Sequence, residues 1–191
     1  QTTLKAPLGA HTKFIYSALG ELEESIDPEG NSTTYEYDQI GQLLERDHPD
    51  AGTTSYIYDK AGNLLSTQTA NLSQSSSFIE YTYDYNRLMT VSYPDNPENN
   101  VYYEYGDVNT GNGSGRLVKM QDASGLQTFE YGDLGELIEN IHTFVMPNGG
   151  NYTFMTQWEY DSWNRTKNIT YADGEVVTYD YNNSGMLTAI S

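Results

Sequence analysis

Aromatic and polar residues alternate along this chain in short bursts, and clusters of Gly, Pro, Asn and Asp separate the bursts. Phe14-Ile15-Tyr16, Tyr35-Glu36-Tyr37, Tyr56-Ile57-Tyr58, Tyr81-Thr82-Tyr83, Tyr103-Glu104-Tyr105, Phe129-Glu130-Tyr131, Trp158-Glu159-Tyr160 and Tyr179-Asp180-Tyr181 each set two rings two positions apart. A period of two is the strand signature and places both rings of a pair on one face of a sheet. Five of the eight residues between the rings are acidic, so the opposite face reads as charged and wet.

Aligned on the second ring, the bursts are 21, 21, 25, 22, 26, 29 and 21 residues apart. A repeat on this scale marks a stacked supersecondary unit. Turn chemistry comes directly after the ring pairs. Asp38-Gln-Ile-Gly41 and Asp59-Lys-Ala-Gly62 set Asp at the first corner and Gly at the fourth. Asp accepts hydrogen bonds from the turn backbone, and Gly tolerates the left-handed region that closes a hairpin. Gly20, Gly135 and Gly185 hold the same place, and Asn164, three residues after Asp161, replaces Gly in the seventh copy; Asn is among the few other residues that enter that region. Two positions later Leu22, Leu43, Leu64, Leu137 and Leu187 begin a return strand, and second turns come at Asp27-Pro-Glu-Gly30, Pro49-Asp-Ala-Gly52, Pro94-Asp-Asn96, Asp122-Ala-Ser-Gly125, Pro147-Asn148-Gly149 and Ala172-Asp-Gly174. The unit is strand, tight turn, strand, second turn. Two adjacent copies differ. Tyr83-Asp84-Tyr-Asn-Arg-Leu88 is one residue short and lacks the glycine, and the copy from Tyr105 to Gly115 carries six extra residues, which predicts a protruding loop.

The fold expected is all-β: residues 1–13 as a flank that begins a preceding strand, and 14–191 as one continuous array of eight β-hairpins. Sixteen strands at ~4.8 Å make an antiparallel sheet ~75 Å long. Open sheets beyond ~10 strands curl or close, so a curved or spiralling sheet, part of a shell or barrel, is expected.

Composition narrows the function. The 191 residues permit a compact domain with a real core or one continuous array. A net charge of -18 repels nucleic acid and anionic lipid. The 18 Tyr argue against disorder. There is no Cys, hence neither disulfide nor thiolate metal site, and no apolar run approaches the ~18 residues of a membrane span. The chain opens at Gln1 without an apolar leader, the expectation for a processed product or a piece of something longer.

The Tyr-x-Tyr-Asp-x-x-Gly-x-Leu phrase, recurring from residue 14 to 191, resembles the YD-repeat, or RHS-repeat, family of bacterial surface and toxin proteins, with relatives in the insecticidal toxin complexes and the teneurins. The resemblance implies a hairpin per repeat and a spiralling shell that encloses a toxic C-terminal segment or serves as a surface scaffold. Its signature falls here on Tyr16, Tyr37, Asp38, Tyr58, Asp59, Tyr83, Asp84, Tyr105, Tyr131, Tyr160, Asp161 and Tyr181, with Gly20, Gly41, Gly62, Gly115, Gly135, Asn164 and Gly185 in the turns. Ile26-Asp-Pro-Glu-Gly30 is similar to that family's cleavage motif but sits in an ordinary turn position, and neither protease nor toxin is inferred.

Little catalytic chemistry stands out. A carboxylate in most repeats reads as a solvated face rather than as a tuned glycosidase pair. His11, His48 and His142 lack metal-ligand spacing. Asp107, Asn109 and Asn112 in a Gly-rich loop are a weak calcium candidate without the terminal bidentate Glu. Core packing is the favoured role of the ring ladder; the other is an exposed platform for sugars, with Trp158 and Trp163 as its ligand-binding candidates. The expected function is therefore a non-enzymatic scaffold segment, without cofactor, of a larger secreted or cell-surface protein. Its partners are the remainder of the parent chain and an enclosed toxin, with self-association through open sheet edges. The alternative is a module binding a glycan or a cell-surface protein through aromatic and acidic ladders.

Overall fold

The computed structural model describes residues 2–5, 11–147 and 149–191. They form seventeen antiparallel strands, one short α-helix and two 3-10 turns, grouped as two compact units, Gln1–Pro97 and Glu98–Ser191. The first unit runs β1 (Thr2–Lys5), β2 (His11–Tyr16), β3 (Leu22–Ile26), β4 (Ser32–Tyr37), β5 (Leu43–His48), β6 (Gly52–Tyr58), β7 (Leu64–Gln68), β8 (Ile79–Asp84) and β9 (Arg87–Ser92), each paired with the next in chain order. The second runs β10 (Val101–Tyr105), β11 (Leu117–Asp122), β12 (Gly125–Tyr131), β13 (Leu137–Val145), β14 (Asn151–Tyr160), β15 (Thr166–Thr170), β16 (Val176–Tyr181) and β17 (Leu187–Ile190) in the same manner.

All eight ring-bearing strands head a hairpin, and in each hairpin the register shifts immediately before the second ring, from Ile15/Tyr16 through Asp180/Tyr181. Such a bulge increases twist and leaves one residue of the return strand out of the ladder. The long spacing between Tyr58 and Tyr83 is taken up by α1 (Ala70–Ser73), which Thr69 caps by accepting a hydrogen bond from Leu72 N. The periodic pattern gave no sign of this helix. Asn148 of the Pro147–Gly149 turn lies outside the described residues.

Of the two builds the length permits, a compact domain with a real core or a continuous array, the described residues form the second. Leu72 and Val91 are the buried hydrophobic residues among those described, and none of their side chains is fully buried. The accessible surface is 12621 Å², whereas a compact chain of 21.5 kDa exposes ~9,200 Å² and two separate globules of half that mass ~11,000 Å². The rings instead pack within one layer against neighbours on their own face. In the first unit, register places Tyr35 beside Arg46 and then Thr54, Tyr56 beside Thr67 and then Ile79, and Tyr81 beside Val91. Thr33, Thr54 and Thr67 are the buried polar residues among those described, small side chains set among large rings. The face between the rings is open to water: Glu36, Thr82, Glu104, Glu130, Glu159 and Asp180 are all exposed.

Candidate functional site: turns and tyrosines that join successive repeats

Five of the repeat turns are built on one side-chain oxygen at the first corner. Asp38 Oδ1 accepts from Ile40 N and Gln42 N, both at 2.9 Å; Asp59 Oδ1 accepts from Ala61 N and Asn63 N at 2.8 Å; Asp161 Oδ1 accepts from Trp163 N and Arg165 N at 2.9 and 3.0 Å. Ser17 Oγ and Asn182 Oδ1 make the same pair of bonds in the first and eighth turns. These bonds stabilise the charged carboxylate. The side-chain bond from Asn63 leads in holding Asp59 below its ordinary value, and the Arg165 side chain does so for Asp161. The fourth corner is left-handed in these turns: Gly41 has φ +84° and Asn164 +59°.

The sixth turn has Gly132 where others have Asp. Its acceptor comes from the other end of the turn, Glu136, whose Oε2 takes the Leu134 N–H at 2.9 Å. The carboxylate fills the vacated space, since a Cβ on Gly132 would stand 2.2 Å from Glu136 Oε1. In the short fourth copy, Asp84 pairs with Arg87 across a two-residue turn whose Tyr85 takes φ +54°. In the fifth, Gly106 N still closes onto Arg116 O, and the six extra residues form a tight loop over that closure. Instead of protruding free, this loop reaches the next turn: Asn112 Nδ2 donates to Asp133 Oδ1 at 2.9 Å.

Two kinds of contact then join neighbouring repeats. The first is a hydroxyl latch. Tyr58 Oη donates to Leu43 O at 3.0 Å, Tyr131 to Leu117 O at 2.7 Å, Tyr160 to Leu137 O at 2.8 Å and Tyr181 to Thr166 O at 2.9 Å. Each acceptor is the first residue of the preceding repeat's return strand, beside the bulge. Burial pushes the Tyr58, Tyr131 and Tyr160 hydroxyls above their ordinary value. A sequence signal for this latch exists: the second ring is Tyr in all eight copies, whereas the first is Phe, Tyr or Trp, so the hydroxyl rather than the ring alone is retained.

The second kind runs turn to turn. In the second, third, sixth and eighth turns, the residue just after the preceding turn's fourth corner lies near the glycine. A Cβ on Gly135 would stand 1.9 Å from an Arg116 guanidinium nitrogen; Gly185 faces Arg165 and Gly62 faces Gln42, both at 3.3 Å. The Arg116 guanidinium lies 5.4 Å from the Tyr131 ring. Arg165 bonds Asp161 through Nε at 2.7 Å and sits 4.7 and 4.3 Å from the Trp163 and Tyr181 rings, a cation–π arrangement. Gly135 thus meets a close approach as well as a left-handed backbone angle, whereas Gly20 and Gly115 have open space and meet the angle alone.

Of the ligand-binding candidates, Trp158 is half-buried on β14, whereas Trp163 is 64% exposed at the tip of the same hairpin with Arg165 against its ring. The calcium candidates do not converge. Asp107 Oδ1 accepts from Asn109 N and Thr110 Oγ1, and Asn109 Nδ2 bonds Asp107 Oδ2, while Asn112 turns to Asp133. Among the described residues no three His, Cys, Asp or Glu side chains gather as a metal would require. No helix among them is long and apolar enough to cross a membrane.

The RHS Repeat family model matches residues 16–53 and 160–191, which contain the turns anchored on Ser17, Asp38, Asp161 and Asn182. Those two stretches carry RHS repeats. No curated protein matches it. Among solved structures, the crystal structure of TcdB2-TccC3 with Cdc42 superposes with a TM-score of 0.73 at 19% identity, over 98% of this chain and 11% of that one. The crystal structure of TcdB2-TccC3 gives the same values. The Tc holotoxin pore of Photorhabdus luminescens gives 0.72 at 19% identity, over 98% and 10%. At this identity the likeness is one of fold, and the chain spans about a tenth of the length of those chains.

Proposed function

We propose that this chain is a non-enzymatic wall segment of a larger secreted shell, which it builds by stacking hairpins. The observation that carries this reading is the single-layer build: two buried hydrophobic residues among those described, with the latch and the turn ladder as the contacts that join repeats. Stability in such an array comes from each repeat and its neighbours, which suits a wall whose length is set by repeat number. The likeness of fold to chains about tenfold longer supports the same reading. No cluster of perturbed titratable groups at a cavity among the described residues calls for catalysis; the lowered carboxylates are turn caps. Enclosure of a toxic segment is part of the proposal.

The test is the intact mass of the native product, followed by electron microscopy of it. A product several times 21.5 kDa with this segment in the wall of a hollow particle is expected. A free monomer near that mass would overturn the reading. Titration of sugars against Trp163 fluorescence separates the scaffold from a glycan-binding module: the scaffold gives no saturable change.

A further inference from the structure

The sixth repeat departs from the narrow ribbon. β13 spans nine residues and β14 ten, whereas the other strands span four to seven. β14 pairs with β13 along its whole first half, from Asn151 opposite Val145 to Gln157 opposite Glu139, but its pairing with β15 begins only at Gln157. Among the described residues, Asn151 to Thr156 therefore has a strand on one side and none on the other. Alternate residues of an antiparallel strand turn their N–H and C=O groups to each side, so this stretch offers an open edge ~20 Å long at ~3.3 Å per residue. Tyr152, Phe154 and Met155 along it are 54%, 50% and 40% exposed. Natural sheets blunt such edges with Lys, Pro or bulges; Asn151-Tyr-Thr-Phe-Met-Thr156 has neither Lys nor Pro, and its register with β13 is unbroken.

The β15–β16 turn stands beside this edge and closes a groove of about 520 Å³ lined by Thr153, Phe154, Thr156, Tyr171, Asp173 and Glu175 among others. We propose that the open edge of β14 is a docking site for an extended polypeptide segment that joins it as an added strand, with Lys or Arg where the segment meets Asp173 and Glu175. Two observations select this occupant. An unpaired edge is satisfied by main-chain groups, which an extended peptide supplies residue by residue and a sugar or small apolar molecule does not. The charged residues lining the groove are both acidic. They favour a cationic segment and disfavour a second copy of this chain, which carries the same net charge of -18. Phe154 and Tyr171 then receive an apolar side chain of the added strand.

The probes are ten-residue peptides of alternating Thr, Val and Tyr, carrying two Lys at either end or two Gln instead, with binding to the full chain followed by fluorescence anisotropy. One Lys-bearing peptide is expected to bind about fivefold or more tightly than its Gln counterpart and to slow amide exchange at Asn151–Thr156. Asp173→Asn with Glu175→Gln removes the preference for Lys and leaves the melting temperature unchanged, because the carboxamide introduced at position 173 retains an oxygen that can accept from Glu175 N. Equal binding of Lys and Gln peptides, protection elsewhere than Asn151–Thr156, or no binding by any peptide overturns the proposal. So does a dimer in sedimentation that already protects this edge, since the occupant is then a second copy.

Discussion

Replacing Tyr58 by Phe removes one hydroxyl and keeps the ring. The bond lost is the 3.0 Å donation to Leu43 O, at a carbonyl that a neighbouring bulge has set beside the ladder. A net intramolecular hydrogen bond contributes about 1 kcal/mol, and the figure rises where the abandoned acceptor stays shielded from water. A loss of about 1–1.5 kcal/mol is expected, lowering the melting temperature by about 4–12 °C where the first unit melts by itself and about 2–6 °C where the whole chain melts together. The control lies two residues away on the same strand and face. Tyr56→Phe makes the same chemical change at a hydroxyl with no hydrogen-bond partner among the described residues, and its expected shift is near zero. Alkali supplies a second readout. Burial raises the Tyr58 hydroxyl above its ordinary value, so its contribution is complete below pH ~10, the value of a free tyrosine, and is lost as pH rises through the folded value; Tyr58→Phe flattens that loss. Urea and thermal melts followed by circular dichroism measure both. Equal destabilisation by the two substitutions would refute the latch and reduce the second ring to packing.

Acid acts on the turns: Asp27, Asp59, Asp107, Asp122 and Asp161 are held below their ordinary value by turn hydrogen bonds, so their contribution is whole above pH ~4 and lost as pH falls below it, whereas the eighth turn, built on Asn182, shows no such loss in residue-resolved exchange. Gly135→Ala and Gly20→Ala both force a left-handed alanine at about 1–2 kcal/mol, but Gly135→Ala costs more because it meets Arg116; Arg116→Ala in the same chain removes the excess in urea melts. Gly132→Asp alone destabilises by steric conflict with Glu136, and adding Glu136→Asn, the pairing seen at Asp59 and Asn63, restores the melting midpoint. Leu72→Ala, at one of the two buried hydrophobic sites among the described residues, costs about 2 kcal/mol in the same melts, the low end for buried leucine because the site is one layer thick.

The hairpins were legible because each is written locally. Asp38, Gly41 and Leu43 lie within six residues and need only one another, and β5, β7, β13 and β17 begin at Leu43, Leu64, Leu137 and Leu187, where the pattern set them. The turn-to-turn contacts were not legible, because Arg116 and Gly135 are neighbours only after stacking and neither residue type announces the other. Gly132 was passed over for a related reason: the acceptor it lacks is supplied from Glu136, and a search for Asp at a fixed place does not see an oxygen arriving from the far side of the turn. The missing core was illegible for a different reason. Alternation reports which face of a strand is apolar, not whether a second layer covers it.

The ladders also explain where the array tolerates change. β7 and β8 are joined by two residue pairs, Ser66 with Glu80 and Thr67 with Ile79, the thinnest pairing in the first unit. That junction holds the only α-helix among the described residues, and Leu72 on it is buried while Gln68 Nε2 donates to Ser77 O across the insertion at 3.0 Å. Backbone pairing lost to the insertion is thus offset by side-chain burial at the same place. Turn six makes the complementary point, since Glu136 replaces the lost aspartate oxygen without altering the glycine at the fourth corner. Where the described repeats are held by their neighbours rather than by buried hydrophobic side chains, an insertion or exchange is compensated close to where it occurs. Residues that look irregular against the repeat, Leu72, Asn112 and Glu136, are therefore where the chain's own design is most specific, and the added length of β13 and β14 belongs with them. That added length alone leaves an edge with no compensating partner among the described residues, which is why it points outward to another chain.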